Sequence, residues 1–263
     1  MDDLGDLSEA NVHAALDTQR YGRCLSLLSS TASTNDDARK AAAEGAADGH
    51  VIVADSQTHG RGSRGKHWDS PAGEDLYLSV VARVLVPLAS LPPLTLAVGL
   101  AVADAVDELL GSAVARVKWP NDVWIDRKKV AGILVEASST GQATDPVVIG
   151  IGLNVNRRAF PEGLETAPTS LALHGGQRFD RSRVLALLLR ALERRVDSFV
   201  SHGVDPIVHA LEQRLALRGE LIQGEGIVGR VEGVAASGAL VLATDEGRRE
   251  VFSGSLRPVD PVR

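Results

Sequence analysis

The stretch Val147–Val155 reads Val-Val-Ile-Gly-Ile-Gly-Leu-Asn-Val, an apolar, β-branched run broken by glycine at 150 and 152. Side chains alternate between the faces of a strand, so both glycines fall on one face and leave it bare. Glycine weakens a strand interior and marks places where a ligand or another backbone comes close. The fold therefore has to bring something against this strand. With 263 residues and 44% hydrophobic content, the chain can build a full core and one small additional domain.

A second unusual stretch is Gly60-Arg61-Gly62-Ser63-Arg64-Gly65-Lys66-His67-Trp68. Glycine permits positive φ and close approach to backbone N–H groups. The cations supply fixed charge for phosphate or carboxylate, and the indole can wall off an apolar ligand body. Taken alone, the same cations would suit a solvated surface turn. Gly60 to Lys66 formally satisfies G-x-x-x-x-G-K, but His67 stands where a P-loop needs Ser or Thr, and Asp69-Ser70-Pro71 follows where a helix should. The Gly150-Ile151-Gly152 run likewise imitates a dinucleotide fingerprint, yet Val155 replaces the third glycine and the run ends a strand. Both matches are rejected.

Composition excludes several classes. A net charge of −6 and a pI near 5.7 argue against nucleic-acid binding. Cys24 is the only cysteine, so one chain can form neither a disulfide framework nor a cysteine-rich zinc site; beside Leu25-Ser26-Leu27-Leu28 it reads as a half-buried strand residue. The acidic start, Met1-Asp2-Asp3-Leu4-Gly5-Asp6, has no signal-peptide pattern, and the apolar runs are too short to span a bilayer. A soluble, cytoplasmic protein is expected.

Residues 1–24 read as a polar lead-in with a helix over 9–16. A strand at 25–28 precedes a helix over 36–44 with Thr34 or Asn35 as its N-cap. A strand at 50–55 runs into the glycine loop, and another is expected at 76–86. A helix over 95–110 follows, then a strand at 114–118, and then strands at 123–126 and 130–137 as a hairpin around Arg127-Lys128-Lys129. After the glycine strand come helices over 181–202 and 207–216. From residue 217 the chain turns to short strands at 220–223, 226–231, 239–243 and 250–253, as in a small β-barrel. A boundary is placed there, giving 25–216 and 217–263.

Five segments stand in order along the chain: Ser33-Thr34-Asn35, the Gly60–Trp68 loop, Lys118-Trp119-Pro120-Asn121-Asp122, Lys129–Glu136 (Lys-Val-Ala-Gly-Ile-Leu-Val-Glu) and Gly150–Asn154. Together, with Thr169-Ser170-Leu171 after them, they resemble the catalytic domain of biotin protein ligases, from about residue 25 to 171. The resemblance implies an α+β fold: a class II synthetase-like mixed sheet flanked by helices, with a small C-terminal SH3-like barrel. It also implies a two-step reaction. Biotin's carboxylate attacks the α-phosphorus of ATP to give biotinyl-5′-AMP and pyrophosphate, and a lysine of a biotin carboxyl carrier domain then takes the biotinyl group. Such an enzyme positions two anions, neutralises their repulsion and keeps water from the anhydride.

The resemblance assigns roles residue by residue. Lys129 matches the active-site lysine that meets the carboxylate and the α-phosphate, whereas Lys128 reads as exposed. Arg61 matches a ligand-contacting arginine, with Gly60, Gly62, Ser63, Arg64 and Gly65 around it. Lys66 faces phosphate, and Trp68 packs on the biotin chain. Ser33, Thr34 and Gln57, with Asn35 beside them, match positions that hydrogen-bond the ureido ring. Gly132, Gly150 and Gly152 let the bicyclic ring lie against backbone. Asn121 and Asp122 follow the stiff Trp119-Pro120 turn and are assigned to nucleotide and Mg2+ positioning; a turn-capping carboxylate is the other reading of Asp122. Asn154 is placed on the adenine or ribose side.

One departure stands out. Ser63 and Lys66 occupy positions where the family often carries arginine, which removes two bidentate groups. Arg64 is expected to compensate by reaching inward. Some family members carry an N-terminal winged helix and repress transcription; with about 24 residues before the signature, a monofunctional ligase without that DNA-binding domain is expected. A lipoate or octanoate ligase or transferase of the same fold is the alternative activity, and a non-catalytic binder would have no use for Lys129 beside Asn121-Asp122. Self-association is common in the family, so a homodimer is possible.

Overall fold

A computed structural model describes residues 5–84, 90–137 and 146–259. Its larger sheet has seven strands among these residues: β1 (Leu25–Leu28), β2 (His50–Ala54), β3 (Leu76–Ala82), β4 (Arg116–Lys118), β5 (Asp122–Ile125), β6 (Lys128–Ala137) and β7 (Val147–Leu153). Their order is β1-β2-β3-β7-β6-β5-β4; β1 and β2 are parallel and all other pairs antiparallel.

Register sorts the strand side chains onto two faces. Val51 and Val53 pair with Val80 and Leu78, which pair with Ile149 and Ile151 and on to Val135 and Ile133. This face packs on α3 (Leu91–Leu110) and α5 (Arg181–His202) in one apolar cluster with Leu94, Val98, Leu185 and Leu188. On the other face α2 (Thr34–Ala43) covers a small patch of Ala38, Ile52, Val81 and Val148. Beyond that patch lies a row running Tyr77, Gly152, Gly132, Asp122, Lys118 from β3 to β4. Two of its five residues lack a side chain, so the row is a trough.

α3 begins four residues before the expected start. Pro92 and Pro93 fall in its first turn, where proline costs little because its missing N–H has no partner in any case. It ends on Gly111 at φ 66, a left-handed cap. α2 is capped by Ser33, not by Thr34 or Asn35, whose side chains turn to the sheet. Cys24 is exposed and precedes β1, correcting its reading as a half-buried strand residue. β3 closes at Ala82, and residues 85–86 of its expected span lie outside the described residues. The β5–β6 turn is Asp126-Arg127, both at positive φ, so Lys129 sits within β6 and not at the hairpin tip.

The N-terminal segment, with α1 (Glu9–Ala15), is held on α5. Burial pushes the Glu193 carboxyl up, but the N–H groups of Gln19, Arg20 and Tyr21 all donate to it and hold it below the usual range. Asp6 and Asp55 both pair with buried Arg181. The short α4 (Leu171–Gly175), capped by the Ser170 hydroxyl, had no expected counterpart.

After α6 (Asp205–Arg214) the chain forms a second, antiparallel sheet from β8 (Leu221–Gly224), β9 (Ile227–Val234), β10 (Leu240–Thr244), β11 (Gly247–Val251) and β12 (Arg257–Pro258). Its order, β11-β10-β9-β8-β12, leaves β11 and β12 as opposite edges, so the expected barrel is not closed by strand pairing among the described residues. Buried Trp119 bridges the two sheets, its Nε1–H donating to Gly238 O at 2.9 Å.

Candidate active site

The trough is the floor of a cavity of about 410 Å³. Every expected site residue lines it except Gly60 and Gly65. Those two serve the loop itself. A Cβ on Gly60 would stand 2.7 Å from Ser70 Oγ, and Gly65 adopts φ +71 in open space.

The bare strand faces are filled by protein, which corrects the expectation that a ligand ring lies on them. Trp68 lies over Gly132 and Gly152: an added Cβ would come within 2.7 Å of Cζ3 at the first and 2.8 Å of Cζ2 at the second. Asn35 occupies the space over Gly150, where a Cβ would meet Cγ at 2.8 Å. The glycines thus admit an indole and an amide, and those two side chains face the cavity. Trp68 Nε1 is buried with no hydrogen-bond partner, so the wall carries an unspent donor.

The polar end of the cavity is already networked. Ser79 Oγ lies 2.8 Å from Thr34 Oγ1 and 2.6 Å from Asn35 Oδ1. Thr34 N donates to Gln57 Oε1 at 2.9 Å, and Gln57 Nε2 donates to Ser70 Oγ at 3.0 Å. Asn35 Nδ2 donates to Glu136 Oε2 at 2.8 Å. Ser33, though it caps α2, makes no side-chain capping bond. This compact set of donors and acceptors suits a small planar group that needs both.

The cations are paired with carboxylates. Lys129 Nζ is 2.7 Å from Asp122 Oδ1 and 5.1 Å from the centroid of the Trp68 ring. Arg61 contacts Glu136 at 2.8 Å and Asp36 at 3.1 Å. Lys66 pairs with Glu165, which also accepts from Ser255 Oγ at 2.8 Å; the bond from Lys66, then that from Ser255, hold its carboxyl below the usual range. Arg64 turns to Glu225 of the C-terminal sheet at 3.6 Å, which corrects the expectation that it reaches inward to replace the arginine missing at Ser63. Lys128 is exposed, as expected.

Asn121 and Asn154 use their amides on backbone. Asn121 Nδ2 donates to Ile133 O at 2.9 Å, and Asn154 Nδ2 donates to Thr169 O at 2.8 Å. Lys129 N donates to Ala167 O, and Thr169 N donates to Lys129 O, so Asn154 braces the backbone that carries Lys129. These bonds fix the two amides in the cavity wall, where both residues line the site expected to meet the nucleotide. As for Mg2+, no group of three or more His, Cys, Asp or Glu among the described residues can hold a metal, and Asp122 is engaged by Lys129. The donor set does not build an all-protein metal cage; magnesium is usually held by one or two carboxylates together with substrate phosphates, and Asp122 is the carboxylate that this end of the cavity offers.

Residues 27–154 match the biotin/lipoate A/B protein ligase family, and residues 218–255 match the biotin protein ligase C-terminal domain. The biotin–[acetyl-CoA-carboxylase] ligase of Mycobacterium tuberculosis is 38% identical over 237 residues, 87% of this chain and 86% of that protein. The chain belongs to the biotin protein ligase family. The bifunctional ligase/repressor BirA of Bacillus subtilis is 34% identical over 259 residues, covering 96% of this chain and 79% of that protein. Among solved structures, the Aquifex aeolicus biotin protein ligase in complex with biotin and ATP superposes with a TM-score of 0.79 at 32% identity, covering 90% of this chain and all of that one.

Two residues of this ligase's cleft escaped sequence reasoning. Arg157, 3% exposed, donates to Asp69 Oδ2 at 2.9 Å and Asp69 O at 3.0 Å, pairs with Asp75, and stacks 5.0 Å over Phe160. It anchors the chain one residue past Trp68. Lys118 lies half-buried at the end of the trough. Burial lowers its pKa, with Asp122 pulling the other way. The Lys118–Asp122 segment was noticed in the sequence, but its first residue was given no task.

Proposed function

We propose that this cleft joins biotin to the α-phosphate of ATP as biotinyl-5′-AMP and then passes the biotinyl group to a lysine of a biotin carboxyl carrier domain. The carrying observation is the placement of Lys129: its ammonium stands over the Trp68 face and against Asp122, where an apolar wall gives way to a charged one. Biotin has that same polarity, an apolar chain ending in a carboxylate. The ureido ring fits the Thr34–Gln57–Ser79 network of donors and acceptors.

Adenylation brings a carboxylate oxygen to the α-phosphorus while the bond to the β-phosphate breaks. Lys129 neutralises the two anions as they meet, an electrostatic contribution available before the reaction begins. Arg61, which lines the same cavity, adds a second positive charge. Magnesium, arriving on the nucleotide, would neutralise the outer phosphates. The loop and the C-terminal residues Ser255–Pro258, which line the cavity, shield the mixed anhydride from water until the acceptor amine attacks. AMP leaves, and no covalent enzyme intermediate is needed.

The experiment is incubation with ATP, Mg2+ and either biotin or lipoate, with detection of pyrophosphate and the acyl-adenylate. The carrier domain is then added and its mass measured. Biotin-dependent adenylate and a biotinyl mass increment are expected; preferential use of lipoate would replace this reading by the alternative activity.

A further inference from the structure

Lys118 is the lysine of the cavity that adenylation chemistry has so far left without a task. It sits opposite Asp122 on the edge strand β4 and extends the row that contains Gly132 and Gly152. Along that row the floor passes from indole-covered glycines to the Lys129–Asp122 pair and then to Lys118. Among the described residues, every other lysine or arginine lining the cavity is in an ion pair, except the exposed Arg257. Lys118 is in no ion pair among the described residues: Asp122 stands opposite it but is engaged by Lys129, and the Lys118 ammonium lies 6.0 Å from the Trp124 ring centroid. Burial accordingly lowers its pKa. A half-buried ammonium whose nearest carboxylate is already shared with another lysine is costly until an anion arrives.

We propose that Lys118 binds the β- and γ-phosphates of ATP and receives the charge of the departing pyrophosphate. This rests on the adenylation reading. In that step a biotin carboxylate oxygen forms its bond to the α-phosphorus, the bond from that phosphorus to the bridging oxygen breaks, and the electron pair leaves on pyrophosphate; no proton has to move. With biotin at the indole and the carboxylate and α-phosphate at Lys129, the outer phosphates extend toward the end of the row, where Lys118 stands. A point charge on a flexible stem suits a group that must leave.

The test uses the full chain with Lys118→Met, and Lys118→Arg as the charge-retaining control. Adenylation is followed by pyrophosphate release, and transfer is followed separately from pre-formed biotinyl-5′-AMP to the carrier domain. Lys118→Met slows adenylation on the order of a hundredfold, raises the KM for ATP and weakens inhibition by pyrophosphate. Its biotin affinity and its transfer rate stay at wild-type values, because pyrophosphate has left before transfer begins. Lys118→Arg restores most of the loss. Wild-type adenylation in the Met variant overturns the assignment, as does an equal loss in both half-reactions, which would mark a structural role. A wild type that forms no adenylate overturns this assignment and the adenylation reading together; an active wild type with an unimpaired Met variant overturns this assignment alone.

Discussion

The two faces of the large sheet are built from the same strands and do opposite work. One carries Val, Leu and Ile at every second position and is sealed by α3 and α5. The other, one residue out of step, carries Gly152 and Gly132 and, beyond the patch under α2, is covered by an indole, an amide and a few paired charges. The difference lies in what each face lets go of. Removing side chains from the first creates voids, whereas their absence from the second makes room for Trp68 and whatever binds beside it. Stability and chemistry are therefore separable by the parity of residue number along one strand.

Substitutions on each face can break that separation. The largest effect is expected from Lys129→Ala, which should reduce adenylate formation by about a thousandfold while the melting temperature stays near wild type; retained pyrophosphate release would remove Lys129 from the chemistry. Next comes Leu76→Ala on the core face, where a fully buried side chain is lost. It should cost about 2–5 kcal/mol in denaturant unfolding and leave the KM for biotin unchanged. Gly152→Val on the cleft face should cost about 1–3 kcal/mol by overpacking, displace the indole with a change in tryptophan emission, and abolish biotin binding; normal affinity would mean that Trp68 is not what the glycine accommodates. Asp69→Asn, half exposed, should raise the KM for biotin roughly threefold by loosening the Arg157 anchor, with the adenylation kcat preserved.

The smallest effect concerns acid. Glu193 is held below its ordinary range, so its contribution is complete above the unfolded carboxylate range and is lost as the pH falls through the lowered folded value. Glu193→Gln should flatten the acid limb of the melting temperature against pH; an unchanged limb would show that the bonds to Gln19, Arg20 and Tyr21 carry no charge-dependent stability.

What the sequence made legible followed periodicity and punctuation. α5 was read to the residue because its apolar stripe starts after Asp180 and stops at Gly203. The bare face of β7 was visible as alternation. Its occupants were not, because Trp68 and Asn35 reach it from far along the chain, and only folding shows that an indole is the group that comes close. That Asn121 and Asn154 also brace Ile133 O and Thr169 O was not legible, because an amide has the same donors whether it meets a ligand or a carbonyl of its own chain. Arg64 and Lys66 were visible as charges, but their partners Glu225 and Glu165 lie far along the chain, and only folding brings them together. The start of α3 was missed because two prolines stop a helix everywhere except where these two stand.

The tether from Trp119 to Gly238 has a consequence for the molecule as a whole. It fastens the small sheet to the turn that delivers Asn121 and Asp122, while Ser255 grips Glu165 and Glu225 grips Arg64. The C-terminal sheet is thereby a side of the reaction chamber. Prising it away would open that chamber and release its charged rim in one motion, ending catalysis while the seven-stranded platform still stood.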